Sequence, residues 1–355
     1  MTAVHVIVPG GIDDPAQPSG GNSYDRRICR GLSAIGWSVQ VRAVPGPWPW
    51  PDATARAAFA SALAAVPDGG VVLLDGLIAS ALPEVVVPEA GRLREVVLVH
   101  MPLGVGPPGP AVADARTKEG AALSSAAAVV TTSTWTRVRL LGLYALRPSQ
   151  VHVAEPGVDS ADLAPGTATG GELLCVAAVA AHKGHDVLFD ALATITDLPW
   201  RCTCVGALDR DPGFVDRLVR QAQKDWIGDQ IHFTGPRSST DVDAVYAGAD
   251  VLVLASHAET YGMVVTEALA CGLPIIATSV GGLPEALGSA ADGTLPGLLV
   301  PRGDSVALAA ALRCWLGDTV LRQHLRNAAR ERRATLSDWS TTAHRISRVL
   351  GEVAA

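Results

Sequence analysis

Two carboxylates stand eight residues apart in a stretch that could bind an anionic ligand carrying hydroxyl groups. Glu259 follows the apolar run 251–254, which predicts a buried strand, and Glu267 precedes Gly272 and Pro274, which are typical of a helix end. A tight loop and a helix start are therefore predicted between them. The N–H groups at a helix start favour an anion. Carboxylates on either side suit a ligand with hydroxyls flanking a phosphate, as in a nucleotide-sugar.

Three neighbouring segments carry a resemblance to a known family. Residues 256–262, 267–274 and 281–285 together resemble the donor-binding signature of family 4 glycosyltransferases, which are retaining enzymes of the two-domain GT-B fold. Either glutamate could otherwise be an ordinary solvated acid, Glu259 in a loop and Glu267 on a helix surface. The whole string is far more specific than the two acids alone.

The resemblance implies an α/β architecture of two Rossmann-like, doubly wound domains facing across a cleft. It implies an acceptor domain at residues 1–160 and a nucleotide-sugar donor domain at 161–336. A final helix, residues 337–355, is expected to cross back onto the first domain. The implied activity is metal-independent transfer of a sugar to an acceptor hydroxyl with retention of configuration, by a front-side displacement that needs no enzymic nucleophile.

The resemblance also assigns site residues. Glu259 is expected to hold the sugar hydroxyls and Glu267 the ribose, and the implied catalytic residues are His100, Lys183 and Glu259. The implied donor-binding residues are Gly20, Gly21, Lys183, Gly235, Arg237, Glu259, Thr260, Tyr261, Gly262, Met263, Val264 and Glu267. Arg237 could stack on the base or simply be solvated, and Gly281 and Gly282 are expected to close the donor pocket.

Lys183 lies on a loop between a predicted strand that ends near Val179 and a helix that begins near Asp186. A lysine there is a mobile positive charge at the carboxyl end of a strand, where α/β sheets bind ligands. The family has an arginine five residues before this lysine, and both cations meet the donor diphosphate. In this chain Ala178 takes the place of the arginine. A solvated loop lysine is the alternative.

His100 follows the apolar run 96–99 and so also lies at the carboxyl end of a predicted strand. It resembles the family's active-site histidine, although a hydrogen-bonded core histidine would give the same pattern. Gly20 and Gly21 open a helix predicted to run to about Ile35, and glycines let backbone amides approach a phosphate. The implied acceptor-binding residues are Asn22, Ser23 and His100, but Asn22 and Ser23 could equally cap the helix.

Short apolar runs alternate with helical patterns along the whole chain, which predicts two successive parallel sheets. The predicted strands are residues 4–8, 39–41, 71–74, 96–99, 129–132 and 151–153 in the first sheet, and 173–179, 201–205, 231–233, 251–254, 275–278 and 297–300 in the second. Residues 159–171, rich in small and turn-forming types, are predicted to be a linker. The tail from Ser337 to Glu352 predicts a capped amphipathic helix.

Composition narrows the class of protein. The 355 residues are 48% hydrophobic and 18% charged with a net charge of −7, which indicates a globular chain without a global attraction to nucleic acid. We expect no signal peptide and no transmembrane helix, because the apolar stretches are short or broken. Cys202 and Cys204 should share one face of a strand as buried thiols, which favours a reducing, cytoplasmic location.

Two pairs of aspartates are weighed as metal ligands. Asp209 with Asp211, and Asp241 with Asp243, spell the two-aspartate pattern of the other glycosyltransferase fold. Asp241 and Asp243 are predicted to open a helix, where acids offset the helix dipole, and Asp209 and Asp211 to lie in a loop and helix start before Pro212. Both pairs are therefore expected to be structural, and no metal and no cofactor are expected.

The expected partners are a UDP- or GDP-sugar donor and a small-molecule or lipid-linked acceptor. A nucleotide-sugar epimerase of the same architecture and a catalytically silent nucleotide-sugar binding protein are alternatives, the second because of Ala178. The loop 45–51 holds Trp48 and Trp50 among prolines. An exposed tryptophan there could stack on a sugar or lipid, but packing over the edge of the core is expected.

Overall fold

A computed structural model of the chain describes residues 2–12, 19–106, 109–237 and 239–355. Within them the chain forms two compact units. The first contains the described residues up to Gly157 together with Ser337–Ala355, and the second contains Val158–Leu336. Part of the proline-containing loop before Gly20, residues 13–18, lies outside the described residues.

The first unit is built on a parallel sheet of six described strands in the spatial order β2-β1-β3-β4-β5-β6. Its strands are β1 (Ala3–Pro9), β2 (Ser38–Val44), β3 (Val71–Asp75), β4 (Arg94–Val99), β5 (Ala128–Thr131) and β6 (Val151–Val153). The chain leaves β1 toward β2 on one side and returns to β3 on the other, so the winding direction reverses between β1 and β3.

This first sheet is buried on both faces. Along β3 and β4, alternate residues enter two separate hydrophobic clusters, with Val72 and Leu74 on one side and Val71 and Leu73 on the other. Continuous Val and Leu runs are typical of parallel strands that are covered on both faces. The runs that predicted these strands are apolar throughout for this reason.

The helices of the first unit include one from the end of the chain. They are α1 (Gly20–Ala34), α2 (Ala53–Ala64), α3 (Gly76–Ala79), α4 (Pro83–Glu89), α5 (Pro110–Ser125), α6 (Thr134–Leu143) and α14 (Trp339–Ala354). Asp338 caps α14 by accepting from the Thr341 amide at 2.7 Å. The helix buries Ile346 and Leu350 completely, and each such side chain contributes about 1.5–3 kcal/mol to stability.

The second unit has a parallel sheet of six described strands in the order β12-β11-β10-β7-β8-β9. Its strands are β7 (Glu172–Val176), β8 (Arg201–Val205), β9 (Ile231–Gly235), β10 (Val251–Leu254), β11 (Ile275–Thr278) and β12 (Gly297–Val300). Its helices are α7 (His185–Ala193), α8 (Pro212–Lys224), α9 (Ser239–Ala247), α10 (Met263–Ala270), α11 (Leu283–Leu287), α12 (Ser305–Gly317) and α13 (Thr319–Arg333). The winding reverses between β7 and β10. The predicted α/β class with two doubly wound sheets is confirmed.

Two local predictions are corrected. The strand predicted at 173–179 ends at Val176. Beyond it, the Ala177 amide still donates to the Val205 carbonyl at 2.9 Å, and the Val179 amide donates to the Ala207 carbonyl at 2.8 Å. The predicted linker is anchored to the second unit, because the buried Asp250 carboxylate accepts from the Thr167 amide and hydroxyl, both at 2.6 Å. Small residues in this segment therefore reflect close packing as well as turns.

Candidate active site

The reversal of winding in the second sheet brings together two loops that are far apart in sequence. β7 and β10 are neighbours, and the chain leaves them in opposite directions. Ligands of open α/β sheets bind at the carboxyl ends of strands at such a switch point. Lys183 lies on a short 3-10 turn (Ala181–Lys183) after β7, and Glu259 lies in the loop after β10. The topology alone therefore brings the two charges to one place.

Glu259 is held by two hydrogen bonds. Its Oε1 accepts from Lys183 Nζ at 2.6 Å and from Ser256 Oγ at 2.9 Å. The side chains of Lys183 and Glu259 are 21% and 13% exposed. Because both charges are largely withdrawn from water yet still reachable, neither is the freely solvated loop residue that was the alternative.

The loop that carries Glu259 is fixed by glycines on other segments. Gly281 has a φ of +56°, and a Cβ at this position would lie 1.6 Å from the Glu259 carbonyl oxygen. The Gly282 amide donates to that oxygen at 3.1 Å. The glycines of the sequence signature therefore make their close approach to the backbone of the Glu259 loop.

The helix after this loop presents its amino end at the same edge. Gly262 is the residue before α10, in the left-handed region with a φ of 98°, and Met263 and Val264 are the first two helical residues. Their amides lie in the first turn, where the helix dipole favours an anion. The predicted strand, loop and helix start are all present.

Glu267 lies one turn into α10 and contacts a buried tyrosine. Tyr246 Oη donates to Glu267 Oε2 at 2.8 Å. Burial and the neighbouring Glu267 carboxylate hold the pKa of Tyr246 well above its usual range. The tyrosine is thus a permanent donor that orients the carboxylate of Glu267.

The other residues assigned to the donor are distributed unevenly. Gly235 ends β9 and Arg237 is exposed just beyond it, whereas Thr260 is half-buried beside Glu259. Tyr261 is only 8% exposed and belongs to the hydrophobic core of the second unit. Its role as a donor contact stays a prediction, and most of the side chain packs in the core. Ala178 is half-buried one residue before Val179.

In the first unit, the predicted Gly-Gly turn is the start of α1. Gly20 and Gly21 are its first residues, and Ser19 caps the helix by accepting from the Asn22 amide at 3.1 Å. Ser23 Oγ accepts from Arg26 Nη2 at 3.2 Å. The capping role that was weighed for Asn22 and Ser23 therefore belongs to Ser19.

His100 lies beside two aspartates that sequence reasoning missed. Its Nε2 is 2.8 Å from Asp25 Oδ1 and 3.8 Å from Asp75 Oδ2. Asp25 comes from α1, Asp75 ends β3, and His100 follows β4, so the three meet near the switch point of the first sheet. Gly21 adjoins them, since a Cβ there would lie 3.4 Å from His100 Cδ2. We call Asp25, Asp75 and His100 the acid–histidine cluster.

The acid–histidine cluster retains protons. Burial alone would lower the pKa of His100, but the Asp25 and Asp75 carboxylates outweigh it and raise that pKa to about 9. Burial and the Asp25 charge raise the pKa of Asp75 to about 7. At neutral pH His100 is therefore an imidazolium ion that donates to Asp25.

The same cluster has the donor set of a cation site. One carboxylate oxygen from each aspartate and a His100 ring nitrogen lie within 4.8 Å of one another. Asp25 Oδ2 is buried without a hydrogen-bond partner among the described residues. The two-aspartate pairs weighed from sequence behave differently: Asp211 caps α8 by accepting from the Phe214 amide at 3.0 Å, and Asp241 lies in the first turn of α9.

A weak sequence signal for Asp75 was available. Residues 71–75 and 96–100 have the same form, an apolar run that ends in one ionisable residue, and only the second was singled out. Asp25 lies four residues after Gly21, which places it on the same side of α1.

Within the described residues, no helix is both long and apolar enough to cross a membrane.

Comparison with known sequences relates most of the second unit to a known family. Residues 168–332 match the family model for glycosyl transferases group 1. The D-inositol 3-phosphate glycosyltransferase of Jonesia denitrificans is 34% identical over 221 residues, which is 57% of this chain and 51% of that protein. The corresponding protein of Kineococcus radiotolerans is 33% identical over 233 residues, 58% of this chain and 53% of that protein. The chain thus spans about half the length of these curated relatives.

Solved structures extend the likeness in fold to nearly the whole chain. Sucrose-phosphate synthase from Thermosynechococcus elongatus has a TM-score of 0.82 at 22% identity and covers 99% of both chains. Anabaena HepE, solved in complex with UDP-glucose, has a TM-score of 0.78 at 17% identity and covers 99% of this chain and 100% of its own. The predicted GT-B fold is therefore confirmed, and residues 168–332 are similar to the glycosyl transferases group 1 family, in agreement with the donor signature.

Proposed function

We propose that the protein is a glycosyltransferase that moves a sugar from a nucleoside diphosphate sugar to an acceptor hydroxyl, with retention of configuration and without a metal. The observation that carries the proposal is the Lys183–Glu259 pair, 2.6 Å apart beside the amino end of α10. A cation, a carboxylate and helix amides at one switch point suit a diphosphate joined to a sugar.

The donor is proposed to bind with its diphosphate at Lys183 and α10. An ammonium group has three N–H donors, so Lys183 can keep its bond to Glu259 and still donate to phosphate oxygens. Glu259 can accept hydrogen bonds from the sugar hydroxyls. Glu267 can accept from the ribose through Oε1 while Tyr246 donates to its Oε2. The likeness to HepE, whose structures contain UDP and UDP-glucose, favours UDP over GDP as the nucleotide.

The proposed step breaks the bond between the anomeric carbon and the diphosphate oxygen. The acceptor oxygen attacks the same face of the sugar and forms the new glycosidic bond, and its proton passes to the departing phosphate. Lys183 and the α10 amides stabilise the charge that develops on the leaving group. His100, already protonated, is suited to donate a hydrogen bond and unsuited to act as a base.

The acceptor is proposed to be a polyol, and the first unit is proposed to bind it. The relatives that share about half their length with this chain are named for D-inositol 3-phosphate. The supporting observation in this chain is the charged His100, which can donate to an acceptor or sugar hydroxyl. Gly20, Gly21, Asn22 and Ser23 remain proposed contacts through the amino end of α1.

The test is incubation of the purified chain with UDP-sugars, with and without D-inositol 3-phosphate or myo-inositol. We expect release of UDP and a product in which proton NMR shows the anomeric configuration of the donor. An isomerised donor without transfer would identify an epimerase instead. Saturable donor binding without turnover would identify a silent binding protein, and an inverted product would refute retention.

A further inference from the structure

The imidazole ring of His100 is held by one face of α1. Its Nε2 lies 2.8 Å from Asp25 Oδ1. The ring of Tyr24 packs edge-on against it, with ring centroids 5.1 Å apart. A Cβ on Gly21 would lie 3.4 Å from His100 Cδ2, so the helix backbone also approaches the ring closely. Residues three and four apart in a helix share one face, which is why positions 21, 24 and 25 can contact the same side chain.

Tyr24 is itself fixed in the core of the first unit. It is 1% exposed, and its Oη donates to the Ala154 carbonyl at 2.7 Å. Its ring also packs edge-on against Trp339, the first residue of α14, with ring centroids 5.6 Å apart. The final helix of the chain therefore packs behind the ring on which His100 rests.

The backbone after His100 is anchored as well. Glu119 of α5 is fully buried, and its carboxylate accepts from the Leu103 and Gly104 amides, both at 2.9 Å. Tyr144 Oη donates to the same carboxylate at 2.5 Å. Because these three donors satisfy Glu119, its charge is directed at the loop, and His100 is presented from a fixed backbone.

Asp25 decides which ring nitrogen of His100 remains for a ligand. An ionised carboxylate only accepts hydrogen bonds, so the Nε2 that faces it carries a proton. Within the described residues Nδ1 has no hydrogen-bond partner, and the side chain of His100 keeps 18% exposure. Any proton that His100 releases therefore leaves Nδ1, because Asp25 holds the other.

The charges that face His100 favour its protonated form. Asp75, at the end of β3, places its Oδ2 3.8 Å from Nε2, beyond hydrogen-bond distance. Burial opposes a charge on His100, but the charge and hydrogen bond of Asp25, together with the charge of Asp75, outweigh burial and raise the pKa of His100 to about 9.

The arginines that follow Asp25 in α1 face other partners. Arg26 donates to the Ile12 carbonyl, and Arg27 lies over the ring of Trp339, 5.8 Å from its centroid. The side-chain contacts of these two cations are therefore made away from the His100 ring.

We propose that Asp25 is a positioning residue, which turns His100 so that Nδ1 is a permanent hydrogen-bond donor to an oxygen of the bound ligand. Because Asp25 is only 3% exposed, it acts through His100. Its role in transfer rests on the proposed function, whereas the orientation and charge of His100 do not. No covalent step is involved.

Nitrogen-15 NMR of the full chain without substrate reports the protonation of each ring nitrogen. His100→Gln identifies the His100 signals. Asp25→Asn keeps the size of the side chain and removes its charge. Tyr24→Phe is the matched control, since it removes the buried 2.7 Å hydrogen bond one residue away and leaves the charge beside His100 in place.

In the parent we expect His100 to carry both protons at pH 7 and to lose the Nδ1 proton near pH 9, with Nε2 still protonated. Asp25→Asn should lower the midpoint of this titration by about 1–3 pH units, the effect of removing an adjacent opposite charge. Tyr24→Phe should lower stability and leave the midpoint unmoved.

Two results in the parent protein alone would overturn the proposal. One is a His100 that titrates near the ordinary value of 6.5, and the other is a neutral His100 whose remaining proton is on Nδ1. Equal shifts of the midpoint in Asp25→Asn and Tyr24→Phe would also overturn it, because they would indicate a merely structural role for Asp25.

The pH profile of turnover separates this proposal from the proposed function. If Nδ1 donates during transfer, turnover should fall as pH rises through about 9 in the parent, and at a correspondingly lower pH in Asp25→Asn. Asp114→Asn, at an exposed acid of α5, should follow the parent. Coinciding profiles of the parent and Asp25→Asn would overturn the role in transfer. A chain without transferase activity that keeps the expected titration would refute the proposed function and leave the effect of Asp25 on His100 intact.

Discussion

The switch points of the two sheets hold charge in opposite ways. In the second unit Lys183 and Glu259 balance each other and keep 21% and 13% exposure. In the first unit the acid–histidine cluster has two acids for one imidazolium, and Asp25 Oδ2 is buried without a partner among the described residues. The second switch point can offer both charges to a ligand, whereas the first retains protons. The same topology thus places a partly exposed ion pair at one switch point and a buried, proton-holding cluster at the other.

The largest effect that tests this comparison should come from Lys183→Ala. The family that the donor signature resembles has a second cation where this chain has Ala178, so in the proposed mechanism Lys183 carries more of the leaving-group charge alone. We expect turnover with a UDP-sugar to fall about a hundredfold or more, with a smaller effect on donor affinity. Lys224→Ala, at an exposed lysine in the last turn of α8, is the control and should change turnover little. A loss of only a few-fold in Lys183→Ala would show that another cation neutralises the diphosphate.

Glu259→Ala should separate the two halves of the charge pair. Turnover is expected to fall by about tenfold to a hundredfold, because only the intact donor presents hydroxyls to this carboxylate. Affinity for free UDP should be unchanged or higher, since Lys183 loses its competing partner. Calorimetry with UDP and with the donor makes the comparison, and equal losses of affinity for both would contradict the assignment.

Glu267→Ala should weaken binding of free UDP by about 1.5–3 kcal/mol, the value of a hydrogen bond to a charged group. Tyr246→Phe removes only the 2.8 Å hydrogen bond from Tyr246 Oη to Glu267 Oε2, and it should weaken binding of free UDP by about 0.5–1.5 kcal/mol. Titration calorimetry measures both variants. If Glu267→Ala binds UDP as the parent does, Glu267 has no part in the ribose site.

The first unit should show its proton-holding character in stability. The folded pKa of Asp75 is about 7 against an ordinary 3.8, so the folded state binds more protons between these values. Its stability should therefore fall as pH rises from about 4 to about 7, and Asp75→Asn should lessen that fall.

Hydrogen exchange of β3 and β4 amides reports on this unit alone. Asp114→Asn, at an exposed acid of the same unit, is the control. Burial raises the pKa of Glu95 to about 8. Glu95 is present in the parent and in both variants, so its contribution to the pH dependence cancels in the comparison. Parallel pH profiles of the parent and Asp75→Asn would refute the proton-holding description.

The smallest effect should come from chelation. The proposed donor site uses amides and a lysine, so activity should persist in saturating EDTA. Loss of activity that manganese restores in the parent would show that a cation site operates, and the acid–histidine cluster would be its candidate. Asp25→Asn would then weaken manganese binding measured by calorimetry.

Features that come from one continuous chain segment could be predicted from the sequence, whereas contacts between distant segments could not. The proposed donor site could be predicted because Ser256, Glu259 and Glu267 lie within twelve residues of one chain segment. The twelve strands were located because apolar runs bounded by Gly and Pro are local signals. The strand after the linker was drawn too long because Ala177 and Val179 continue its apolar pattern beyond the regular ladder.

The first unit was less predictable for the same reason. Asp25, Asp75 and His100 are separated by 50 and 25 residues, and only the strand order β1-β3-β4 brings them together. The Lys183–Glu259 contact also spans 76 positions. Neither pairing has a local pattern, so both required the tertiary structure.

The contact between Gly281 and the Glu259 carbonyl has a consequence for redesign. Exchanging the loop after β10 for that of a protein with the same fold would change the backbone that Gly281 and Gly282 contact, because a Cβ at these positions would lie 1.6 Å from the Glu259 carbonyl oxygen and 2.3 Å from the Thr260 carbonyl oxygen. Gly184 is fitted in the same way to the Ala255 carbonyl. A graft that aims to alter sugar preference should therefore carry three discontinuous segments together, around Gly184, Glu259 and Gly281. The backbones of these three segments are in direct contact with one another. We therefore expect a library that varies only one of them to contain mostly loops that do not fold correctly.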